Sequence, residues 1–279
     1  MLAKLLLFTA VLVGCLLAAV IGLALWVRFT SSYNWMQVAL ATANWIYVRI
    51  VWRAKINKRL PFPPSQGAVI VCNHTSSVDP MFIQAVARRV VHWMVAREYV
   101  EARGLGWFFR ATEVIPVNRG GVDTAATKAA IRLCEEGEMV GMFPEGRLNT
   151  SEEFLLPGRP GAALVALKAR VPVLPCYLRG SPYDGTVGSP FRMRARAELV
   201  IGEPIDLSPY YGREGEKEVL QELTCRFLSE IARLAGAEDY QPQVAGRNWL
   251  PDQADAERSA VDSSTERSSA AEIQAAKRS

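Results

Sequence analysis

Apolar residues dominate the first part of the chain. Residues 5–27 form a run without a charged side chain, bounded by Lys4 and Arg28. At 1.5 Å rise per residue this run makes a helix about 34 Å long, enough to span a hydrocarbon core of ~30 Å. A cleaved signal peptide is the alternative, but its apolar region is normally only about 7–15 residues long. The pattern predicts a retained transmembrane helix over residues 5–27.

A second helical pattern covers residues 33–58 and mixes aromatic side chains with bases. Trp35, Trp45 and Trp52 lie within it, and a basic cluster ends at Arg59. This combination is typical of a helix that lies in the headgroup region, although a second span or an ordinary core helix also fits. Because more bases follow the first apolar run than precede it, the body is expected on the cytoplasmic side of the inner membrane. Residues 1–60 are therefore predicted to be a membrane anchor.

The rest of the chain alternates short β-branched runs with helical patterns. The predicted strands cover 68–72, 91–95, 113–117, 139–143, 173–177 and 192–201, and the predicted helices cover 81–89, 122–136, 161–169 and 214–235. This alternation predicts an α/β fold, with a mixed, mainly parallel sheet flanked by helices, over residues 61–240. The 192–201 segment alternates apolar with charged residues, which predicts one solvent-facing side and a place at the sheet edge. Residues 251–279 contain almost no large apolar side chain and are predicted to be a disordered tail.

Charge and cysteine usage narrow the class of partner. The net charge is +4, and six acids against four bases from Pro251 onward leave +6 on residues 1–250. A modestly basic body with an apolar anchor suits an anionic membrane or phosphate-bearing ligands, whereas no dense basic stripe indicates nucleic acid. The five cysteines lie singly and there are two histidines, so neither a disulfide framework nor a metal site is expected.

Candidate chemistry begins in the turn after the first predicted strand of the body. His74 follows that strand, and Asp79-Pro80 suits a helix start with Asp79 as N-cap and Pro80 as the first helical residue. The five-residue spacing lets Asp79 fold back onto the imidazole, fix its tautomer and stabilise the protonated ring. Alternatively, His74 could simply form a hydrogen bond that holds a loop in place. As a base it would activate a hydroxyl of a substrate, since the adjacent serines lack the G-x-S-x-G context of a nucleophile.

Two further turns carry charged residues at predicted strand ends. Arg119 precedes a glycine pair and offers a fork for phosphate oxygens, or it is a solvated surface residue. In the turn Glu145-Gly146-Arg147, the charged pair forms either a surface salt bridge or an anion site in which Glu145 orients a substrate hydroxyl. His92 lies in an apolar strand and is predicted to be a core residue. Arg159, near the start of a helix, is a weaker candidate for contact with donor phosphates.

Four ordered blocks of residues resemble the glycerolipid acyltransferases. They are Asn73-His74 through Asp79-Pro80, the Arg119 turn, Phe143-Pro-Glu-Gly-Arg147 and Val171-Pro-Val-Leu-Pro175, and the resemblance spans roughly residues 60–205. The branch that looks most similar is the bacterial 1-acyl-sn-glycerol-3-phosphate acyltransferases of the PlsC type. The third block departs from the usual F-P-E-G-T-R, because Arg147 directly follows Gly146 and Leu148 stands where the usual Arg would be. The second block reads Pro-Val-Asn-Arg119 where F-I-D-R is common.

The resemblance implies a function and a role for each residue. It implies that His74 deprotonates a lysophosphatidic acid hydroxyl, that Asp79 orients His74, and that the acyl group comes from a coenzyme A or acyl carrier protein thioester as co-substrate. By the same resemblance Arg119 and Arg147 bind the acceptor's phosphate, Glu145 helps position its glycerol, and Gly146 belongs to the same substrate-binding turn. Another lysolipid or glycerol 3-phosphate is an alternative acceptor. A thioester or lipid hydrolase, or a non-catalytic membrane protein, is the alternative of another class.

Overall fold

A computed structural model of the protein describes residues 1–118 and 123–245. The helices in this part of the chain are α1 (Leu2–Thr30), α2 (Trp35–Ile46), α3 (Asp79–Gln84), α4 (Arg97–Val100), α5 (Gly106–Ala111), α6 (Thr124–Glu135), α7 (Gly161–Ala169) and α8 (Lys217–Leu234). The strands are β1 (Lys55–Ile56), β2 (Ala68–Cys72), β3 (Val91–Ala96), β4 (Ile115–Val117), β5 (Met139–Met142), β6 (Val173–Arg179) and β7 (Glu198–Ile201). A π-helical turn, Tyr47–Val51, continues α2, and 3₁₀ turns cover Ser189–Arg192 and Ser208–Tyr210.

The strands form one seven-stranded sheet in the order β1-β7-β6-β2-β5-β3-β4. The five strands from β6 to β4 run parallel, β7 is antiparallel to β6, and β1 is parallel to β7. The predicted mixed, mainly parallel sheet is confirmed. Because β2 and β5 run parallel, the turns that follow them come to the same carboxyl edge of the sheet.

Helices cover both faces of this sheet, and β2 lies at its centre. All five residues of β2 are fully buried. Val69 and Val71 pack into a core with α6, α7 and α8, while Ile70 and Cys72 pack into a second core with α3 and Trp52. A strand buried on both faces reads as a continuous apolar run, which is why the segment Ala68–Cys72 is uniformly apolar.

Local sequence signals explain where several helices begin. In α2 the Asn34 side chain accepts a hydrogen bond from the backbone N–H of Gln37, and the Gln37 side chain bonds back to the backbone N–H of Asn34, forming a capping box. In α6 the Asp123 carboxylate accepts from the N–H of Ala126 at 2.9 Å. Helix α8 repeats apolar residues every four positions, at Val219, Leu223, Phe227 and Ile231, all buried.

Helix α1 is the one helix in the described part of the chain that is long and apolar enough to cross a membrane. Most of its large apolar side chains are exposed, and Val27 is its single buried residue. Near its C-terminal end, α1 packs on Tyr33 and Val38. An exposed apolar surface of this size is typical of a helix that associates with a membrane.

The second predicted helix ends earlier than the sequence predicted. The helix expected over 33–58 stops with the π-helical turn at Val51, and Lys55–Ile56 instead forms β1 at the sheet edge. Trp52, expected at the headgroup level, is fully buried between the π-helical turn and Phe82. The sequence did not reveal this because β1 pairs with β7, more than a hundred residues later.

The strand predicted over 192–201 was also only partly right. Residues 198–201 form β7, whereas residues 189–192 form a 3₁₀ turn. In addition, β7 lies between β1 and β6 and is not an edge. The predicted tail at 251–279 lies outside the described residues.

Candidate active site

The site is built on the turn that follows β2. Asn73 fixes the start of this turn, because its side-chain oxygen accepts from the N–H of Leu178 and its amide donates to the carbonyl of Leu178, both at 2.8 Å. These two hydrogen bonds to β6 extend the strand pairing by one residue past Cys72. His74 therefore leaves the carboxyl edge of the sheet in a fixed direction, with 19% of its side chain exposed.

His74 and Asp79 meet as the sequence predicted. The Nδ1 atom of His74 lies 3.0 Å from Oδ2 of Asp79. The same oxygen accepts the backbone N–H groups of Thr75 at 2.7 Å and Ser76 at 2.8 Å. Because Asp79 is fully buried, its carboxylate holds the ring by Nδ1 and leaves Nε2 as the ring nitrogen that a substrate can use.

The role of Asp79 in helix α3 differs from the prediction. Val78 is the N-cap, and Asp79 is the first helical residue. Its carboxylate turns back to the loop instead of capping its own helix. In this position it adds negative charge at the helix N-terminus while serving His74.

An aromatic stack supports the imidazole from below. The ring of His74 lies parallel to that of Phe143 with centroids 3.7 Å apart, and Phe143 stacks on Trp93 at 4.8 Å. Trp93 can lie flat over β5 only because position 141 is glycine, since a Cβ there would come within 2.5 Å of the indole. Sequence reasoning missed this stack. Its one signal was a glycine inside a strand, which often marks close packing of another group.

Glu145, predicted to position the glycerol of the acceptor, lies beneath the site. Its side chain is fully buried, and its two oxygens accept the N–H of His74 at 2.8 Å and the N–H of Leu156 at 2.9 Å. Burial raises the pKa of Glu145 to about 7, against the lowering effect of these two bonds. In this structure Glu145 ties the His74 turn to the following loop and does not reach the surface.

The loop after β5 carries the remaining predicted contacts. Gly146 has φ +71°, and a Cβ there would meet the Arg159 side chain at 2.8 Å, so this position favours glycine. Arg147 is half-buried, and two residues later the N–H of Asn149 donates to the carbonyl of His74 at 2.7 Å. The loop that holds Arg147 is thus bonded to both backbone groups of His74. Arg119 lies outside the described residues.

Other candidate groups have structural roles. His92 is buried, and its Nδ1 lies 2.8 Å from the carbonyl oxygen of Glu113, which confirms its prediction as a core residue. Burial raises the pKa of the Cys72 and Cys176 thiols, so both stay protonated and are poor nucleophiles. Among the described residues, no group of three or more metal-ligating side chains comes together.

Comparison with known proteins finds a family model that is similar to the region carrying this site. A family model described as Acyltransferase matches residues 53–179, which contain His74, Asp79 and the 145–147 turn. Residues 53–179 are therefore similar to the acyltransferase family. Their first residue lies between the end of the π-helical turn at Val51 and the start of β1 at Lys55.

Individual relatives of this region share a modest identity. The chain is 29% identical over 152 residues to the 1-acyl-sn-glycerol-3-phosphate acyltransferase of Bacillus subtilis, covering 54% of this chain and 73% of that one. It is 31% identical over 129 residues to the human 1-acyl-sn-glycerol-3-phosphate acyltransferase alpha, but spans only 45% of that protein's length. The crystal structure of the 1-acyl-sn-glycerophosphate acyltransferase PlsC from Thermotoga maritima superposes with a TM-score of 0.55 at 17% identity, covering 80% of this chain and 90% of that one. This last likeness shows a shared fold.

Proposed function

We propose that the protein transfers a fatty acyl group from an acyl thioester to the free hydroxyl of 1-acyl-sn-glycerol 3-phosphate, giving phosphatidic acid. The observation that carries the proposal is the His74–Asp79 pair, bonded at 3.0 Å at the carboxyl edge of a domain similar to the acyltransferase family. The donor is a thioester of coenzyme A or of acyl carrier protein. The names of the relatives from Bacillus subtilis and human support this acceptor.

His74 acts as the general base in this reaction. Its Nε2 accepts the proton of the acceptor's hydroxyl while the hydroxyl oxygen attacks the thioester carbonyl. The C–S bond then breaks, and the proton passes from the imidazolium to the departing sulfur, which leaves as a thiol. Asp79 stabilises the imidazolium between these steps, and no acyl-enzyme forms. General base catalysis contributes typically ~10²–10⁴-fold, so positioning of the two substrates supplies the remainder.

Arg147 and Arg119 bind the phosphate of the acceptor. Support for Arg147 comes from its loop, which is fixed to His74 through Glu145 on one side and Asn149 on the other. A guanidinium held in this loop can dock a phosphate at a set distance from the base, and its planar fork suits phosphate oxygens. Gly146 contributes by letting the loop turn tightly before Arg147.

The anchor brings the site to its lipid substrates. Helix α1 spans the inner membrane, and the acyltransferase domain faces the cytoplasm. Helix α2 and its π-helical extension support an interfacial placement, because they expose an apolar stripe of Trp35, Met36, Ala39, Ala43 and Ile50. Since both lysophosphatidic acid and phosphatidic acid partition into the membrane, a site at the headgroup plane meets them there.

A panel of acceptors tests this function. Membranes containing the protein receive a labelled acyl thioester together with lysophosphatidic acid, another lysophospholipid or glycerol 3-phosphate, and the products are separated. We expect phosphatidic acid from lysophosphatidic acid, at a rate above that of membranes lacking the protein. Transfer to a different acceptor would replace the proposed substrate, and release of free fatty acid alone would replace acyl transfer by hydrolysis.

A further inference from the structure

We propose that the opposite edge of the sheet carries a separate site for the head group of an anionic membrane phospholipid. The site is a cavity of about 260 Å³ between the end of α1, helix α2, the segment after β1 and the loop that follows α3. We call it the amino-edge cavity. It depends on the membrane association of α1 and is independent of the proposed reaction.

The course of α3 separates the amino-edge cavity from the catalytic turn. Helix α3 begins at Asp79, beside His74 at the carboxyl edge, and ends at Gln84. Gln84 and the loop before β3 line the cavity, and β3 starts at Val91 on the amino edge. Neither His74 nor the 145–147 turn is among the lining residues.

The cavity is strongly basic. Arg49, Lys58, Arg59 and Arg88 line it, and none of the lining residues is an Asp or Glu. Glu203 lies outside the lining and pairs with Lys58. Three arginines therefore face one small space without a carboxylate in its wall, an arrangement that favours a phosphate group.

Contacts within the protein pre-arrange two of these arginines. Arg88 donates to the carbonyl of Thr30 at 3.3 Å and lies over the ring of Trp26, 5.5 Å from its centroid. Arg49 donates to the carbonyl of Ala54 at 3.1 Å. Arg59 makes no hydrogen bond or ion pair with any residue that the structure describes. Arg88 and Arg49 are therefore held in place, whereas the guanidinium N–H groups of Arg59 can bond to a ligand.

The position of the cavity favours a lipid over a free anion. Trp26 and Trp45 line it together with the arginines, and aromatic side chains beside bases are typical of the headgroup level. The cavity lies where α1 joins the body, so a bound head group would leave its acyl chains beside the exposed apolar side chains of α1. An anionic phospholipid would place its phosphate against the arginines of the cavity and its acyl chains against the apolar side chains of α1.

Native mass spectrometry of the full-length protein in detergent tests the site. Phosphatidylglycerol is the anionic probe, because it is neither the proposed acceptor nor the proposed product, and phosphatidylcholine is the zwitterionic comparison. The variants are Arg59→Gln alone and Arg49→Gln with Arg59→Gln. A matched control changes two exposed arginines on the other helical layer, Arg132→Gln with Arg233→Gln. Far-UV circular dichroism checks the fold of each variant.

We expect the wild type to bind one phosphatidylglycerol more tightly than phosphatidylcholine. At roughly 1 kcal/mol per basic residue near a lipid head group, Arg59→Gln should weaken binding about fivefold and the double variant about thirtyfold. The control should stay within about twofold of the wild type. Equal binding by wild type and cavity variants, equal weakening by the control, or displacement of the lipid by millimolar inorganic phosphate would each overturn the proposal.

Discussion

Replacing Asp79 by Asn changes one atom at the centre of the catalytic geometry. Oδ2 of Asp79 accepts from Nδ1 of His74 at 3.0 Å and from the N–H groups of Thr75 and Ser76 at 2.7 and 2.8 Å. Oδ1 is buried and has no hydrogen-bond partner among the described residues. An Asn must therefore place its oxygen at the Oδ2 position and bury its NH₂ without an acceptor. The reverse orientation would set that NH₂ against the backbone donors.

The size of the effect follows from this geometry. A buried amide donor without a partner costs about 1–3 kcal/mol, so the free energy of unfolding should fall by about that amount. The amide oxygen can keep the ring oriented, but it carries no charge to stabilise the imidazolium. Because general base catalysis contributes ~10²–10⁴-fold, we expect kcat to fall by about 10²-fold or more. The KM of the acceptor should change by less than about threefold, since Asp79 is buried away from it.

Steady-state acyl transfer with a labelled thioester measures both constants, and urea unfolding of the same preparation measures stability. Asp206→Asn is the matched control, because it makes the same chemical change at an exposed carboxylate that accepts from the N–H of Ser208. The control should keep the wild-type kcat. A kcat for Asp79→Asn within about threefold of the wild type, in folded protein, would refute the role given to Asp79.

Three further predictions concern the groups around this pair. Gly141→Ala should push Trp93 out of the stack, because its Cβ would lie 2.5 Å from the indole; we expect a loss of about 1–3 kcal/mol in the free energy of unfolding, measured in urea, and unchanged stability would contradict the packing. The pKa of Glu145, raised by burial to about 7, exceeds its unfolded value of 4.5, so its stabilising contribution is complete below pH 4.5 and is lost as the pH rises through 7. Between pH 5 and pH 8 the free energy of unfolding in urea should fall by roughly 2.5 kcal/mol more in the wild type than in Glu145→Gln, and equal pH dependence of the two proteins would disprove the assignment. Arg147→Gln should raise the acceptor's KM about tenfold and leave the donor's KM within about twofold, whereas equal effects on both would make Arg147 a structural residue.

Much of the domain could be predicted from the sequence because its central elements carry strong local patterns. The strand Ala68–Cys72 and the helix Gly161–Ala169 were predicted with their observed bounds. Each is a short apolar segment flanked by residues that disfavour continuation of the strand or helix. The local conformational preference and the burial of the segment therefore favour the same structure. The contact between His74 and Asp79 was also predictable, since the two residues are only five positions apart and Asp79 also accepts the N–H groups of Thr75 and Ser76 within the same turn.

The failures share a different cause, which is contact between distant parts of the chain. The two-residue strand β1 exists only because β7 lies beside it. The burial of Glu145 depends on the N–H groups of His74 and Leu156, which no local pattern places next to a carboxylate. From the sequence alone, a charged residue in a turn is predicted to lie at the surface. Only the three-dimensional structure shows that another loop covers Glu145.

In the proposed reaction, His74 is the base for acyl transfer. The most direct measurement compares phosphatidic acid formation from a labelled acyl thioester and lysophosphatidic acid by the wild type and by His74→Ala, at equal amounts of membrane-inserted protein. We predict product from the wild type and less than a few per cent of that rate from the variant. A variant that keeps more than a few per cent of the wild-type rate would contradict the mechanism.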